Sequence, residues 1–342
     1  MKKVTVLGAG GWGTALANVL GKKGFTVYLW VRRRELCEEL IKFRENIKYL
    51  PGVLITANVH CTTDLEEAVK DTNLVTVATP SSVMREMIKK ISPYITPKTP
   101  VVSAAKGFEK TTLLRMSQII KEELGEEHPV AVLSGPNHAE EVGRDIPTAT
   151  VVASEKRAIA EYVQDIYMSP KFRVYTNPDV VGVEIGGALK NIIALGAGIT
   201  DGLGYGDNSK AALLTRGLTE IARLGTAMGG DTMTFAGLAG VGDLVATCTS
   251  KHSRNWNCGY QLGKGKTLET ILKETNKVVE GVKAAEVVQA LADKYDIEMP
   301  ISREIYKVLY ENKDPKEAVV DLMLRSKTHE MEEVVIRSRD NW

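Results

Sequence analysis

The chain has 342 residues, with 44 Lys plus Arg against 43 Asp plus Glu and 44% hydrophobic content. That profile excludes disorder, collagen-like repeats and mini-protein scaffolds, and the length points to two domains with a site in the cleft between them. A net charge of +1 supplies no global field that would gather nucleic acid or an anionic membrane, so any anionic ligand must be held by locally placed cations.

In chain order, Val4-Thr5-Val6-Leu7 is a short β-branched run ending in glycines, and residues 14 to 23 then carry Leu16, Val19 and Leu20 at helical spacing. Gly24 stops that helix, and Phe25 to Trp30 reads as a second strand. The alternation continues with helices near 34 to 43, 81 to 91 and 111 to 124, and strands at 73 to 78, 100 to 104 and 130 to 133. Thr148 to Ala153 and Phe172 to Tyr175 add two strands around a helix at 155 to 167. Such alternation predicts right-handed βαβ units and a parallel sheet covered on both faces, an α/β doubly wound domain over residues 1–180. After Asn177-Pro178 the strand signal fades, and helical period appears at 179 to 200, 208 to 228, 267 to 274, 281 to 295, 301 to 311 and 315 to 325. Residues 181–342 are expected to form an all-α C-terminal, substrate-binding domain whose last dozen charged residues fray.

Cys37, Cys61, Cys248 and Cys258 share no CxxC spacing, so neither a zinc knuckle nor a redox pair is indicated, and reduced thiols in a cytoplasmic protein fit best. Met1-Lys2-Lys3, the apolar residues after it and Ala15-Leu16-Ala17 superficially mimic a signal peptide. Thr5 and the glycines at 8, 10, 11 and 13 break its apolar segment, and the stretch is read as mature protein. No run approaches the ~18 to 20 apolar residues of a membrane span; the best candidate, 183 to 199, contains Glu184, Lys190 and Asn191.

Gly8-Ala9-Gly10-Gly11-Trp12-Gly13 is a GxGxxG set directly after the first strand and opening the first helix. In that context Gly8, Gly10, Gly11 and Gly13 permit a tight turn, close approach to a pyrophosphate and packing of helix on strand, as in a Rossmann-type domain. The helix N-terminus then offers unpaired N–H groups to the phosphates. An NAD-specific site ends its second strand in an acid that binds the ribose 2′-hydroxyl. Here Arg32-Arg33-Arg34 stands there, with no acid until Glu35. Guanidinium matches phosphate in fork geometry, so NADP(H) is expected to be preferred with NAD(H) possible, the plain alternative being a solvated basic loop.

Residues 187 to 208, GALKNIIALGAGITDGLGYGDN, closely resemble the signature segment of bacterial-type NAD(P)-dependent glycerol-3-phosphate dehydrogenases. The blocks GAGGWGTALA at 8 to 17, SAAKGFE at 103 to 109, SGPNHAEEV at 134 to 142, GLAGVGDLVATCTS at 237 to 250, SRN at 253 to 255 and VVEGV at 278 to 282 agree in order and spacing. The resemblance covers nearly the whole chain. It implies interconversion of dihydroxyacetone phosphate and sn-glycerol 3-phosphate for glycerophospholipid synthesis, a helical C-terminal domain and a homodimer. One departure stands out: Gly11 takes the place of the serine usual in that glycine loop.

Reducing a ketone with hydride leaves an alkoxide developing on oxygen, so the site needs a proton donor or positive charge there and a clamp for the distal phosphate. Lys190 lies among apolar Leu189, Ile192, Ile193 and Leu195, surroundings that disfavour its charged form; the resemblance makes it the general acid in reduction and base in oxidation. A lysine snorkelling from an amphipathic helix is the bland alternative. Asp243 follows Gly240-Val241-Gly242 and suits a helix N-cap, while the resemblance places it at the substrate, orienting the lysine. Ser253-Arg254-Asn255 offers hydroxyl, guanidinium and amide donors in succession, as a dianionic phosphate requires, unless it is simply a polar surface loop.

Lys106 follows a strand end, where open α/β sheets place ligands, and the resemblance sets it between cofactor and substrate. It also implies substrate contacts for Gly135 and Asn137, and cofactor contacts for Trp12, Tyr49, Ala139, Val278 and Glu280; Arg32 and Arg33, from the basic run, and Arg254 are assigned to the cofactor beside them. Tyr49 and Val278 suit plain packing as well. His138 is assigned a supporting role, and no His, Cys or carboxylate cluster has zinc spacing. Two rivals remain: a hydroxy acid dehydrogenase of the same two-domain architecture, and a non-catalytic NADPH sensor.

Overall fold

The computed structural model describes residues 2–275, 278–327 and 329–330. Its first half runs β1 (Lys3–Leu7), α1 (Gly11–Lys22), β2 (Thr26–Trp30), α2 (Arg34–Phe43), β3 (Glu45–Asn46), β4 (Leu50–Leu54), β5 (Val59–Thr62), α3 (Leu65–Val69) and β6 (Val75–Val77). There follow α4 (Met84–Ile91), β7 (Val101–Ser103), α5 (Met116–Leu124), β8 (Val130–Ser134), α6 (Ala139–Gly143), β9 (Thr148–Ala153), α7 (Arg157–Tyr167) and β10 (Phe172–Asn177). Among the described residues, eight strands form one sheet in the order β10-β9-β8-β7-β6-β1-β2-β5. Val4, Val6, Val75, Val77, Val101 and Val102 are buried on its two faces, as expected where helices cover both sides of a mostly parallel sheet.

The expectation of an entirely parallel sheet fails at one seam. β8 and β9 pair antiparallel, with Val132 opposite Ala153 and Ser134 opposite Val151. A parallel return needs a helix that crosses the sheet face. Here the connection carries only the five-residue α6, which packs on α1 instead. Two helix starts also shift. Leu113 sits in the left-handed region at φ 61, so the α5 helix begins at Met116, not 111. A 3-10 turn, Ser81–Val83, precedes α4. The β3–β4 hairpin, β5 and α3 have no counterpart in the sequence pattern. β3 is two residues long and β4 contains Pro51 and Gly52, so neither shows strand alternation.

The second half is helical: α8 (Val180–Gly202), α9 (Asp207–Ala227), α10 (Thr232–Phe235), α11 (Asp243–Thr249), α12 (Arg254–Gly263), α13 (Leu268–Glu274), α14 (Glu280–Tyr295), α15 (Pro300–Tyr310) and α16 (Pro315–Met323). The expected fraying of the last dozen residues falls on 331–342, outside the described residues. Asp179 accepts from Gly182 N to cap α8, which is largely apolar and buried along nearly its whole length, as suits a helix at the centre of a helical layer. By length and composition α8 could cross a membrane, yet 94% of its apolar window is buried inside the fold, where α9, α11, α12 and α14 surround it. Glycines set the closest of these packings. A Cβ on Gly198 would lie 2.1 Å from the Trp256 carbonyl oxygen and one on Gly259 2.0 Å from that of Leu195, so α8 and α12 meet backbone to backbone. That contact brings Asn191 of α8 within hydrogen-bonding distance of Asn255 of α12.

Candidate active site

β1 lies between β2 and β6, so the strand order reverses there and a crevice opens beyond the strand ends. Gly8 turns the chain at φ +109, and a Cβ on Gly13 would fall 1.9 Å from the Gly8 carbonyl oxygen. The turn and the first turn of α1 thus pack tightly on each other. Gly10 caps α1 without a side-chain hydrogen bond, and no atom lies within 4 Å of where its Cβ would stand. Open space therefore faces the amides of a helix N-terminus, an arrangement suited to phosphate. The indole Nε1 of Trp12 and the hydroxyl of Thr79, beside Gly8, are buried without hydrogen-bond partners. Trp12 packs on Phe172, and Ala139 approaches the turn beside Gly11. Unpaired donors, open space and helix amides together fit a dinucleotide.

The hairpin absent from the sequence pattern closes over this turn. Asn46 is fully buried and its amide donates to the Ala9 carbonyl and the Thr14 hydroxyl at 3.0 and 2.8 Å. A Cβ on Gly11 would lie 2.7 Å from the Tyr49 carbonyl oxygen, which gives a local reason for glycine at this position. Arg33 donates to the Tyr49 hydroxyl at 2.9 Å, Arg32 is exposed beside it, and Arg34 turns outward to pair with Glu38.

At the junction of sheet and helices, three ionisable side chains from distant segments meet. Asp243 binds Lys190 through Oδ1 and Lys106 through Oδ2, the latter at 2.7 Å. Lys190 Nζ also donates to the Thr247 hydroxyl at 2.7 Å, and Lys106 Nζ to the Gly135 carbonyl and Asn137 Oδ1, each at 3.1 Å. Burial, only partly offset by Asp243, brings the Lys190 ammonium down to about 7, with the Lys106 charge acting in the same direction. Asp243 is buried too, which alone would raise its pKa, but the two ammonium groups hold it below the usual carboxylate range. Asp243 stands at the first turn of α11, after a π-helical turn, Leu238–Gly242. Its carboxylate faces the lysines and makes no capping bond to that helix. His138 rests on the Ala246 carbonyl, linking the start of α6 to α11, and burial lowers its pKa.

Ser253, Arg254 and Asn255 form the start of α12. The Ser253 hydroxyl caps the helix by accepting from Trp256 N, and Asn255 donates to Asn191 while accepting from Gly281 N. Arg254 is exposed and donates to the Val278 carbonyl at 2.9 Å. Glu280 opens α14, and burial raises its carboxyl pKa against the pull of Lys283 and Arg254. A cavity of about 280 Å³ between the halves is lined by Ser81, Lys106, Asn191 and Glu280 among others. Among the described residues, no three His, Cys, Asp or Glu side chains gather to hold a metal ion.

Two residues of this cluster escape sequence reasoning. Thr247 follows Asp243 by four positions on one helix and so shares its face, a spacing that could have flagged it. Asn191 carries no such signal, because its role depends on how α12 meets α8.

A crevice with an open glycine turn, facing a lysine–carboxylate cluster held by a helical second half, defines a two-domain dinucleotide-dependent dehydrogenase architecture. Comparison with known proteins narrows this. Residues 3–160 match the model of the NAD-dependent glycerol-3-phosphate dehydrogenase N-terminus, and residues 179–320 match that of its C-terminus. The chain is 56% identical over 337 residues to a glycerol-3-phosphate dehydrogenase (NAD(P)+) of Bacillus pumilus (strain SAFR-032), covering 98% of each chain. It is 53% identical to that of Bacillus subtilis (strain 168), again covering 98% of each. The solved glycerol-3-phosphate dehydrogenase of Coxiella burnetii superposes with a TM-score of 0.91 at 38% identity, covering 95% of this chain and 99% of the other. The chain belongs to the NAD-dependent glycerol-3-phosphate dehydrogenase family.

Proposed function

We propose that this protein reduces dihydroxyacetone phosphate reversibly to sn-glycerol 3-phosphate, with NADPH preferred over NADH. The observation that carries the reading is the bridging of Lys190 and Lys106 by one buried carboxylate beside the dinucleotide crevice. Gly8, Gly10, Gly11, Gly13, Trp12 and Ala139 would hold the dinucleotide, with Arg32, Arg33 and Tyr49 at its adenosine end and Val278 and Glu280 at the helical side. When bound, NADPH supplies the hydride and NADP+ accepts it.

The chain's own residues handle the oxygen. As negative charge develops there, Lys190 Nζ donates a proton, the amine is left neutral, and solvent later restores its proton. In the opposite direction the neutral amine takes the hydroxyl proton. A lysine brought down to about 7 can do both near neutrality. Asp243 and Thr247 hold Nζ in place, and Lys106, steadied by Gly135 and Asn137, adds a second positive charge beside the developing alkoxide. Arg254, with the first turn of α12 and the neighbouring Ser253 and Asn255, is assigned the substrate phosphate, and its remote binding energy orients the ketone.

Residues 1–180 serve as the dinucleotide domain and 181–342 as the substrate domain. We further infer a cytoplasmic homodimer that feeds glycerophospholipid synthesis. The test is NADPH oxidation with dihydroxyacetone phosphate and with unphosphorylated dihydroxyacetone, for the unmutated protein and Arg254→Ala. A phosphate clamp predicts that Arg254→Ala damages reduction of the phosphorylated ketone far more than that of the truncated one. Equal losses on both would assign the arginine a structural role and favour a hydroxy acid substrate.

A further inference from the structure

The hairpin that closes over the glycine turn carries a cation that no motif contains. Lys48 precedes Tyr49, is exposed, and its Nζ lies 5.6 Å from the centre of the Tyr49 ring. The Arg33 guanidinium lies 5.9 Å from the same ring and donates to its hydroxyl. Two cations therefore converge on one aromatic side chain. Among the described residues, neither has a carboxylate within salt-bridge distance, unlike Arg34, which pairs with Glu38. Arg33 is also the N-cap residue of the ten-residue α2 and makes no side-chain capping bond there.

Cations set around one ring without a neutralising acid leave positive charge there that an anion can answer. The place is specific. It lies just past the end of β2, on the side of the sheet's reversal where the ribose of a dinucleotide is read. Nor is the hairpin a loose flap. Asn46 ties it to Ala9 and Thr14 on the glycine turn, and Ile55 N donates to the Arg44 carbonyl behind it. The close approach of the Tyr49 carbonyl to Gly11 fixes how near the hairpin comes to the pyrophosphate turn.

We propose that Lys48 is a cofactor-specificity residue: with Arg33 and Arg32 it encloses the 2′-phosphate of NADP(H), the Tyr49 ring serving as the shared platform and Asn46 as the positioning residue. Lys48 approaches from the hairpin while the arginines approach from the β2–α2 loop, so the phosphate is gripped from two sides. The inference rests on the NADPH preference proposed above and adds a residue to that site.

The test measures the dissociation constants of NADPH and NADH by quenching of tryptophan fluorescence, for the unmutated protein and for Lys48→Ala, Lys48→Glu and Lys48→Arg. Displacement of NADPH by 2′,5′-ADP and by 5′-AMP follows. Lys48→Ala should weaken NADPH about tenfold relative to NADH, the scale of a charge-assisted hydrogen bond at a partly exposed site. Lys48→Glu should weaken it further, and Lys48→Arg should retain most of the selectivity. The NADPH-to-NADH affinity ratio should fall with ionic strength in the unmutated protein and less so in Lys48→Ala. If the unmutated protein selects NADPH and Lys48→Ala keeps the full ratio, the role of Lys48 is refuted and the preference resides in the arginines. If the unmutated protein binds both cofactors equally, the cofactor preference itself fails, and Lys48 with it.

Discussion

The dinucleotide crevice and the lysine cluster are built on opposite plans. The crevice comes chiefly from one continuous stretch, β1 through α1, whose backbone makes the turn and whose helix amides face open space. The lysine cluster draws Lys106, Asn137, Lys190, Asp243 and Thr247 from separate segments and depends on buried charge. A backbone site tolerates changes in side chains that do not enter its space. A buried network of charges fails when one member is lost, because the others are left unpaired in a poorly solvated place.

The largest effect expected from this difference comes from Lys190→Ala. Turnover should drop by about 10² to 10⁴-fold, the range of general acid–base catalysis, while the NADPH dissociation constant stays within about twofold. Steady-state assays and fluorescence titration on one preparation check both halves. A comparable loss of cofactor affinity would mean that the two regions are not separable. Asp243→Ala should come next, lowering stability by about 3 to 5 kcal/mol because it removes the one carboxylate that Lys190 and Lys106 share and leaves their nitrogens without an ionic partner. Urea unfolding measures this, and unchanged stability would show that the carboxylate does not hold the lysines in solution.

Acidity gives a smaller and reversible perturbation. Lys190 is brought down to about 7, with Asp243 and Lys106 in contact and His138 and Cys248 nearby. With Lys190 as the proposed proton donor, reduction needs its protonated form, so kcat/KM for the ketone should fall about tenfold per pH unit above that value. Oxidation requires the neutral amine and should gain as pH rises through the same value. Parallel profiles for the two directions would transfer the proton to another group. The smallest effect belongs to the crevice. Gly11→Ala places a Cβ against the Tyr49 carbonyl and pushes the hairpin outward, so NADPH should weaken about five- to tenfold, in line with the modest cost of overpacking, with kcat nearly unchanged. Crystals of the variant should show the hairpin displaced from the turn; an undisturbed hairpin with full affinity would mean that the contact is slack.

Legibility followed the same division. Gly8 to Gly13 could be read from the chain because strand, turn and helix lie side by side in sequence, and local periodicity fixes their geometry. Lys190 stood among apolar neighbours, which left a snorkelling lysine open until the resemblance of residues 187 to 208 to the family signature singled it out, and the Rossmann-type sheet and helical second half followed from the change in hydrophobic period near Asn177-Pro178. The antiparallel seam between β8 and β9 was invisible, since strand direction depends on where the connecting α6 packs rather than on the strand residues. The hairpin of Glu45 to Leu54 was invisible for a related reason. Its two-residue strand and its Pro51 have no periodicity, and its hold on the glycine turn comes from the buried amide of Asn46. What the sequence by itself determined was thus the features with a clear local period or turn signal: most of the longer strands and helices, the glycine turn and the identity of the chemical groups. Only the tertiary structure decided which groups meet. Asp243 joins Lys106 across 137 positions and Lys190 across 53, and it does so because α8 is buried at the centre of the helical layer, against α11 and beside the loop that follows β7. Contacts at such separations arise from packing, which no local pattern of residues encodes.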